Sequence, residues 1–209
     1  MTFRFDEEEF RARASRLFPE PPDVPRRSDD DLNPEARIIP AEVSPKPAAV
    51  LVPLVIRGSE LNVLLTQRTD HLARHAGQVA FPGGRIDATD DGPVAAALRE
   101  TEEETGIARC FVEPIGFLDT YLTGTSYRVV PVVGLVRPGF TVTPHEGEVA
   151  AVFEVPLAFL MNPVHHETHA REFLGKPRRY YAMPYEGRYI WGATAGMIRN
   201  LYSLMYGEP

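Results

Sequence analysis

The most constraining stretch of this 209-residue chain is Arg99-Glu100-Thr101-Glu102-Glu103-Glu104-Thr105-Gly106-Ile107. At 3.6 residues per turn, Glu100, Glu103 and Glu104 stand at i, i+3 and i+4 and share one helix face, while Glu102 points elsewhere. Three neighbouring like charges destabilise a helix unless a cation offsets them, and hard divalent cations favour such oxygen donors. A solvated acidic face would carry the same three residues. The flanking sequence favours chemistry. Gly83-Gly84 make a tight turn upstream, Pro93 suits a first helical turn, Arg99 adjoins Glu100, and Gly106 is a breaker where the helix must stop. The predicted helix covers 93–105.

Around that helix the pattern is one of strands. The apolar run Ala48–Ile56 reads as a buried strand, Gly58-Ser59 as a turn and 62–66 as a second strand, a hairpin-like pair. Further strands are predicted at 110–121, 126–136 and 150–155, with extended structure near 178–190 and a closing helix after Gly192. Strands with only two or three helices, in no regular alternation, predict an α+β layered sandwich. Ahead of them, Phe5, Phe10, Ala14 and Leu17 fall near one face of a short amphipathic helix over 5–17. The proline- and charge-rich segment from Pro19 to Pro47 favours an extended arm over a packed element. The expected organisation is an N-terminal helix and arm over 1–47 and one domain over 48–209.

Composition limits the partners. No apolar run reaches the length of a membrane span, and the N-terminus turns acidic at Asp6–Glu9 instead of carrying a secretory signal, so a cytoplasmic protein with no membrane partner is expected. The single cysteine, Cys110, excludes an internal disulfide and, beside Phe111, reads as a buried thiol. A net charge of −7 argues against nucleic acid as a partner, which calls for a basic face. An anionic substrate must instead be met by a small basic pocket or by bound cations. The sequence leaves a homodimer open.

The segment from Gly84 to Ile107 resembles the Nudix box: Gly, five residues, Glu, seven residues, Arg-Glu, a bulky apolar residue, any residue, Glu-Glu, any residue, Gly and a bulky apolar residue. Gly84, Arg99, Glu100, Glu103, Glu104, Gly106 and Ile107 match. Asp90 stands in place of the first Glu, eight residues separate it from Arg99, and Thr101 replaces the apolar residue. The extra residue lies upstream of the helix, so it spares the glutamate spacing and leaves both Asp90 and Asp91 as candidates for the loop position. The resemblance implies a Nudix-type α/β/α sandwich with a mixed central sheet. It also implies a metal-dependent pyrophosphohydrolase that holds Mg2+ or Mn2+ on Glu100, Glu103 and Glu104, with Arg99 gripping Glu100. Such cations polarise phosphoryl oxygens, acidify water and stabilise the leaving group. For the general base, Glu100 is one candidate, and Glu146 or Glu148 in the loop His145–Val149 is another.

Upstream, Leu64 to Gly84 resembles the extended motif of the coenzyme A pyrophosphatase subfamily, and a similar tail recurs at Trp191–Gly196; together the likeness covers roughly Ala48 to Leu204. Ala73 stands where that motif carries arginine, with Arg74 next to it. The resemblance makes Arg68, Arg74, His75, Gly83 and Gly84 substrate contacts for a small nucleotide bearing a pyrophosphate and a 3′-phosphate. It implies hydrolysis of coenzyme A or a derivative to 3′,5′-ADP and 4′-phosphopantetheine or its acyl form. The thiol arm would then need an apolar path, for which Phe159–Tyr185 offers aromatics and prolines. The alternatives are a Nudix pyrophosphatase for ADP-ribose or another nucleoside diphosphate derivative, and a non-catalytic nucleotide-binding regulatory module. Retention of the three glutamates and Arg99 speaks against the module. His165, His166 and His169 lack a zinc spacing and a companion cysteine, and read as a surface loop.

Overall fold

Asp6 starts helix α1 (Glu7–Arg13) by accepting a hydrogen bond from the Glu9 N–H at 2.7 Å, and the helix buries Phe10 completely. A 3-10 turn over Ala14–Arg16 follows, so the helix predicted for 5–17 is present in shorter form. Arg11 fastens α1 to the domain through both oxygens of Glu113, at 2.9 and 2.7 Å. The computed structural model describes residues 3–39, 44–71, 75–173 and 175–207.

The proline-rich arm is anchored rather than free. Strand β1 (Arg27–Ser28) runs parallel to Tyr121–Leu122, Asn33 bonds Arg179 through both backbone groups, and Asp30 meets Arg178 at 2.6 Å with both side chains largely buried. Burying that carboxylate and guanidinium is tolerable because they are paired and because Arg178 also donates to the Asp29 and Ala36 carbonyls.

The domain is built on β2 (Lys46–Arg57), which is apolar along most of its length because both faces are covered. It forms the expected hairpin with β3 (Glu60–Arg68). Then come β4 (Val79–Ala80), β5 (Gly83–Arg85), α2 (Gly92–Thr105), β6 (Val112–Phe117), β7 (Tyr121–Leu122), β8 (Tyr127–Val136) and β9 (Val149–Pro156). The single turn α3 (Leu157–Leu160), strands β10 (Glu167–Phe173), β11 (Lys176–Tyr185) and β12 (Arg188–Trp191), and helix α4 (Ala193–Met205) complete the chain.

The large sheet runs β1-β7-β8-β2-β3-β4, with β5 also on β2, β6 on β8 and β9 on β3. It is mixed, since β2 pairs in parallel with β8 while β3 pairs with it antiparallel. Alternation along β2 separates two cores: Ala49, Leu51 and Val55 pack with Ala96 and Ala97 of α2, whereas Ala48, Val52 and Leu54 join the core that contains Ile198 and Leu201 of α4. This is the expected α+β sandwich, with a helix on either face of a mixed sheet. Strands β10, β11 and β12 make a separate antiparallel sheet. No helix among the described residues is long and apolar enough to cross a membrane.

Two sequence expectations are corrected. Cys110 is exposed rather than buried, because the 3-10 turn Arg109–Phe111 sends the Phe111 ring against Phe140 and turns the neighbouring thiol outward. The three histidines do not form a loop: His165 closes a 3-10 turn and stacks on Phe159, His166 is half-buried between the Leu160 carbonyl and Arg199, and His169 lies on β10 between Glu167 and Tyr189.

Candidate active site

Helix α2 begins with Gly92-Pro93 and ends at Gly106, whose φ of 75° is the left-handed cap expected of glycine. Thr101, where an apolar residue was expected, is buried without an orphaned hydroxyl because its Oγ1 donates to the Ala97 carbonyl at 2.7 Å. The helix therefore keeps its inner face packed. Its carbonyl end is covered by the loop before β9: the Thr143 N–H donates to the Thr105 carbonyl at 2.8 Å and the His145 N–H to the Glu104 carbonyl at 3.0 Å. That docking carries Glu148 toward the glutamates.

The outer face of α2 is organised by Arg99. Its Nε and Nη2 each reach an oxygen of Asp90 at 2.9 Å, Nη1 donates to Glu100 and Glu103, both at 3.0 Å, and Nη2 also reaches the Arg85 carbonyl at 3.2 Å. Asp90, not Asp91, thus occupies the loop position. The two-pronged contact with Arg99 pushes the Asp90 carboxyl down to about 2.

Gly83 and Gly84, expected to form a tight turn, instead begin strand β5 because they pair with Val50 and Ala49 of β2, and they lie directly against the glutamates. A Cβ on Gly84 would stand 2.5 Å from the Glu100 carboxyl carbon, and one on Gly83 would strike the backbone of β2, so neither position has room for a side chain. The Gly83 N–H donates to Glu104 at 3.3 Å. Glu104 is buried, and burial pushes its carboxyl up to about 7, against the opposing pull of that N–H and of Arg68, whose Nη1 lies 3.8 Å away. Glu100, half-buried, is also raised, mainly by burial; Glu103 and Glu148 push it further up while Arg99 opposes them. Glu148 acts in the same direction on Glu104.

A profile of the NUDIX domain matches residues 45–174. The chain belongs to the Nudix family. Over 154 residues it is 47% identical to an Escherichia coli K12 protein described as "Uncharacterized Nudix hydrolase NudL", covering 74% of this chain and 80% of the relative. Among solved structures it is similar to a C. elegans Ap4A hydrolase in a binary complex, with a TM-score of 0.46 and 22% identity over 53% of this chain and 80% of the other. It is also similar to the NUDIX domain of Shewanella oneidensis NrtR complexed with ADP ribose, with a TM-score of 0.43 and 23% identity over 56% and 77%. As a Nudix pyrophosphohydrolase the protein is an enzyme. Nudix hydrolases act on small-molecule nucleotides and generally use divalent metal ions.

The donor chemistry of the Nudix helix fits such an ion. Glu100, Glu104 and Glu148 are hard oxygen donors, with Glu148 raising the proton affinity of both Glu100 and Glu104, and a cation among them would relieve both the repulsion and the cost of burial. The side chains are not already closed round one point: among the described residues no group of three His, Cys, Asp or Glu forms a ready-made metal cage. Glu103 instead leans outward on Arg99, with 59% of its side chain exposed, and Glu104 is turned to the Gly83 N–H. This differs from the sequence expectation that all three glutamates converge on one cation.

Of the other predicted site residues, Arg68 faces Glu104 from the end of β3, and its buried Nε has no hydrogen-bond partner among the described residues. His75 is exposed, with Nδ1 2.8 Å from the Gln78 amide oxygen. Arg74 lies outside the described residues. Glu146 is exposed and makes no side-chain hydrogen bond or ion pair among the described residues, whereas Glu148 bears on both Glu100 and Glu104. Sequence reasoning singled out Asp90 only as one of two candidates. Its distinguishing role, a bidentate partner for Arg99 across nine positions, depends on how the acidic loop folds back over the helix start.

Proposed function

We propose that this Nudix hydrolase cleaves the pyrophosphate bond of coenzyme A or a derivative, releasing 3′,5′-ADP and 4′-phosphopantetheine or its acyl form. The observation that carries the reading is the opposition of Arg68 to Glu104 beside Gly83-Gly84, at the junction of the upstream motif and the Nudix helix. It puts a partly exposed guanidinium next to the carboxylates, where a substrate phosphate would need a donor. The 21-residue run Leu64–Gly84 supports the subfamily assignment by its likeness to the coenzyme A pyrophosphatase motif.

In this reading Glu100, Glu103 and Glu104 hold Mg2+ or Mn2+, which supplies phosphoryl polarisation and an acidified water when bound. Arg99 braces Glu100, and Glu103 would have to swing in from its outward contact with Arg99 to join the ion. Glu148 is the better-placed loop candidate to take the proton from the attacking water, because it alone of the two loop glutamates bears on Glu100 and Glu104; Glu100 is the competing base. The bare Gly84 backbone lets the Glu100 carboxyl lie directly against β5, in space that a side chain would fill. Phe159, packed between His165 and Tyr185, belongs to the apolar segment proposed to receive the pantetheine arm.

The test is product analysis by chromatography and mass spectrometry after incubation with Mg2+ or Mn2+ and, separately, coenzyme A and ADP-ribose. Metal-dependent 3′,5′-ADP from coenzyme A is the expected result. Cleavage of ADP-ribose alone would retain Nudix chemistry and overturn the substrate, and no cleavage of either would favour another nucleotide substrate or the non-catalytic nucleotide-binding module.

A further inference from the structure

The glutamates of α2 lie on one side of the large sheet, and a second cavity lies on the other. It is an open cleft with a volume of about 420 Å3, within the range of small-molecule sites, lined by the anchored arm, by α4 and by Tyr121 and Tyr181. Three guanidiniums line it: Arg26 and Arg27 from the arm and Arg199 from the helix. None of the three makes an ion pair with a carboxylate among the described residues. Arg26 lies over the Phe18 ring, and Arg199 lies over Tyr202 and meets His166 Nδ1 at 3.0 Å. That contact needs a lone pair on the imidazole, so His166 is neutral and adds no fourth positive charge; burial, and then Arg199 itself, lower its proton affinity, against the Leu160 carbonyl contact. The one carboxylate in the lining, Asp31, already accepts from the Ser28 hydroxyl at 2.9 Å.

We propose that this cavity is a second ligand site that takes a phosphorylated small molecule, with the phosphate held by Arg27 and Arg199 and approached by Arg26. Gathering three cations with one anion is unfavourable unless something offsets it, and the chain as a whole carries a net charge of −7, so the concentration of positive charge here is local. Planar guanidinium forks match phosphate oxygens in geometry as well as charge. The arginines are also carried on fixed backbone. Arg27 is registered against Tyr121 by the β1–β7 pairing, and Arg199 sits in the middle of a thirteen-residue helix whose Ile198 and Leu201 are fully buried. The Asn200 amide in the wall is taken up at both ends by Asp119, and Ser203, whose hydroxyl donates to the Arg199 carbonyl, keeps only its oxygen as an acceptor, so the open donors of the cavity are its guanidiniums.

The experiment is calorimetric titration of the full chain with ribose 5-phosphate in the presence of a chelator, so that no divalent cation recruits phosphate to the glutamates. Saturable binding is expected in the parent and in an Arg68→Gln variant. The double variant Arg27→Gln/Arg199→Gln is expected to bind at least about tenfold more weakly, as loss of two charge-assisted contacts requires. Should the double variant fail to fold by circular dichroism, Arg26→Gln, on an exposed side chain, is expected to weaken binding severalfold. The proposal is overturned by absence of saturation up to about 10 mM, beyond which no specific site is indicated. Equal binding of uncharged ribose would also overturn it, as would binding lost in Arg68→Gln and kept in the arginine double variant.

Discussion

Arg99 holds Asp90 through two bonds of equal length, Nε to Oδ1 and Nη2 to Oδ2 at 2.9 Å, and uses its remaining nitrogen for Glu100 and Glu103. One guanidinium thereby ties the acidic loop to two carboxylates of the helix. Lysine in its place would keep the charge and lose the fork. With Glu100 and Glu103 as the proposed metal ligands, Arg99→Lys is expected to lower turnover or metal affinity about 10- to 100-fold, the usual cost of removing a group that orients such ligands. Steady-state kinetics across a Mg2+ series should show the loss, and parent-like kinetics at every metal concentration would refute this role.

The absence of a side chain at Gly84 is equally specific. A methyl there would meet all three carboxyl atoms of Glu100 at 2.5–2.6 Å, too close for any real contact. Gly84→Ala is expected to cost at least about tenfold in activity by displacing Glu100, as misplacement of a reacting group by an ångström does. Its circular dichroism should remain that of the parent, since the neighbouring strand pairing is made by backbone. Parent-like activity would mean that Glu100 need not stand where it now lies against β5.

These relationships differ in how far the sequence discloses them. The limits of α2 and the shared face of Glu100 and Glu104 follow from helical spacing and from the proline and glycine at its two ends, all local signals. The strand β2 is legible from its apolar run. Strand β10 is not, because nearly all of its residues are exposed and no alternation marks it. The choice of Asp90 over Asp91, the outward lean of Glu103, and the parallel pairing of β2 with β8 are set by tertiary packing. So is the burial of Asp30 against a residue 148 positions away, which the charged, proline-rich composition of the arm conceals.

The Arg11–Glu113 contact makes α1 docking sensitive to acid. The Arg11 guanidinium, through its hydrogen bonds, holds the Glu113 carboxyl down at about 2, against an ordinary 4.5 in the unfolded chain. A depressed folded value means that the contribution to stability is complete above about 4.5 and is lost as pH falls toward about 2. Both side chains are more than a third exposed, so solvent screening limits the gain to about 1 kcal/mol or less. Denaturant melts of parent and Glu113→Gln should differ at pH 6 and converge near pH 2; a difference that stays constant with pH would rule out the ionic origin.

Arg178 carries the largest stability prediction, because its partner Asp30 is buried and has been desolvated for this pair. Removing the guanidinium leaves a carboxylate inside with, among the described residues, the Ile38 and Ile39 N–H groups to receive it, at 3.2 and 3.3 Å. Arg178→Met keeps the volume of the stem and should destabilise the protein by about 3 kcal/mol or more, the usual cost of breaking a buried pair from one side. It also removes the bonds to the Asp29 and Ala36 carbonyls, so the arm should become the first site of proteolysis, with cleavage mapping to residues 19–39. The double variant Asp30→Asn/Arg178→Met removes the stranded charge and should recover part of the loss. Denaturant unfolding of the two variants separates these cases: if the second substitution brings no recovery, the cost lies in the lost carbonyl contacts and not in the buried carboxylate.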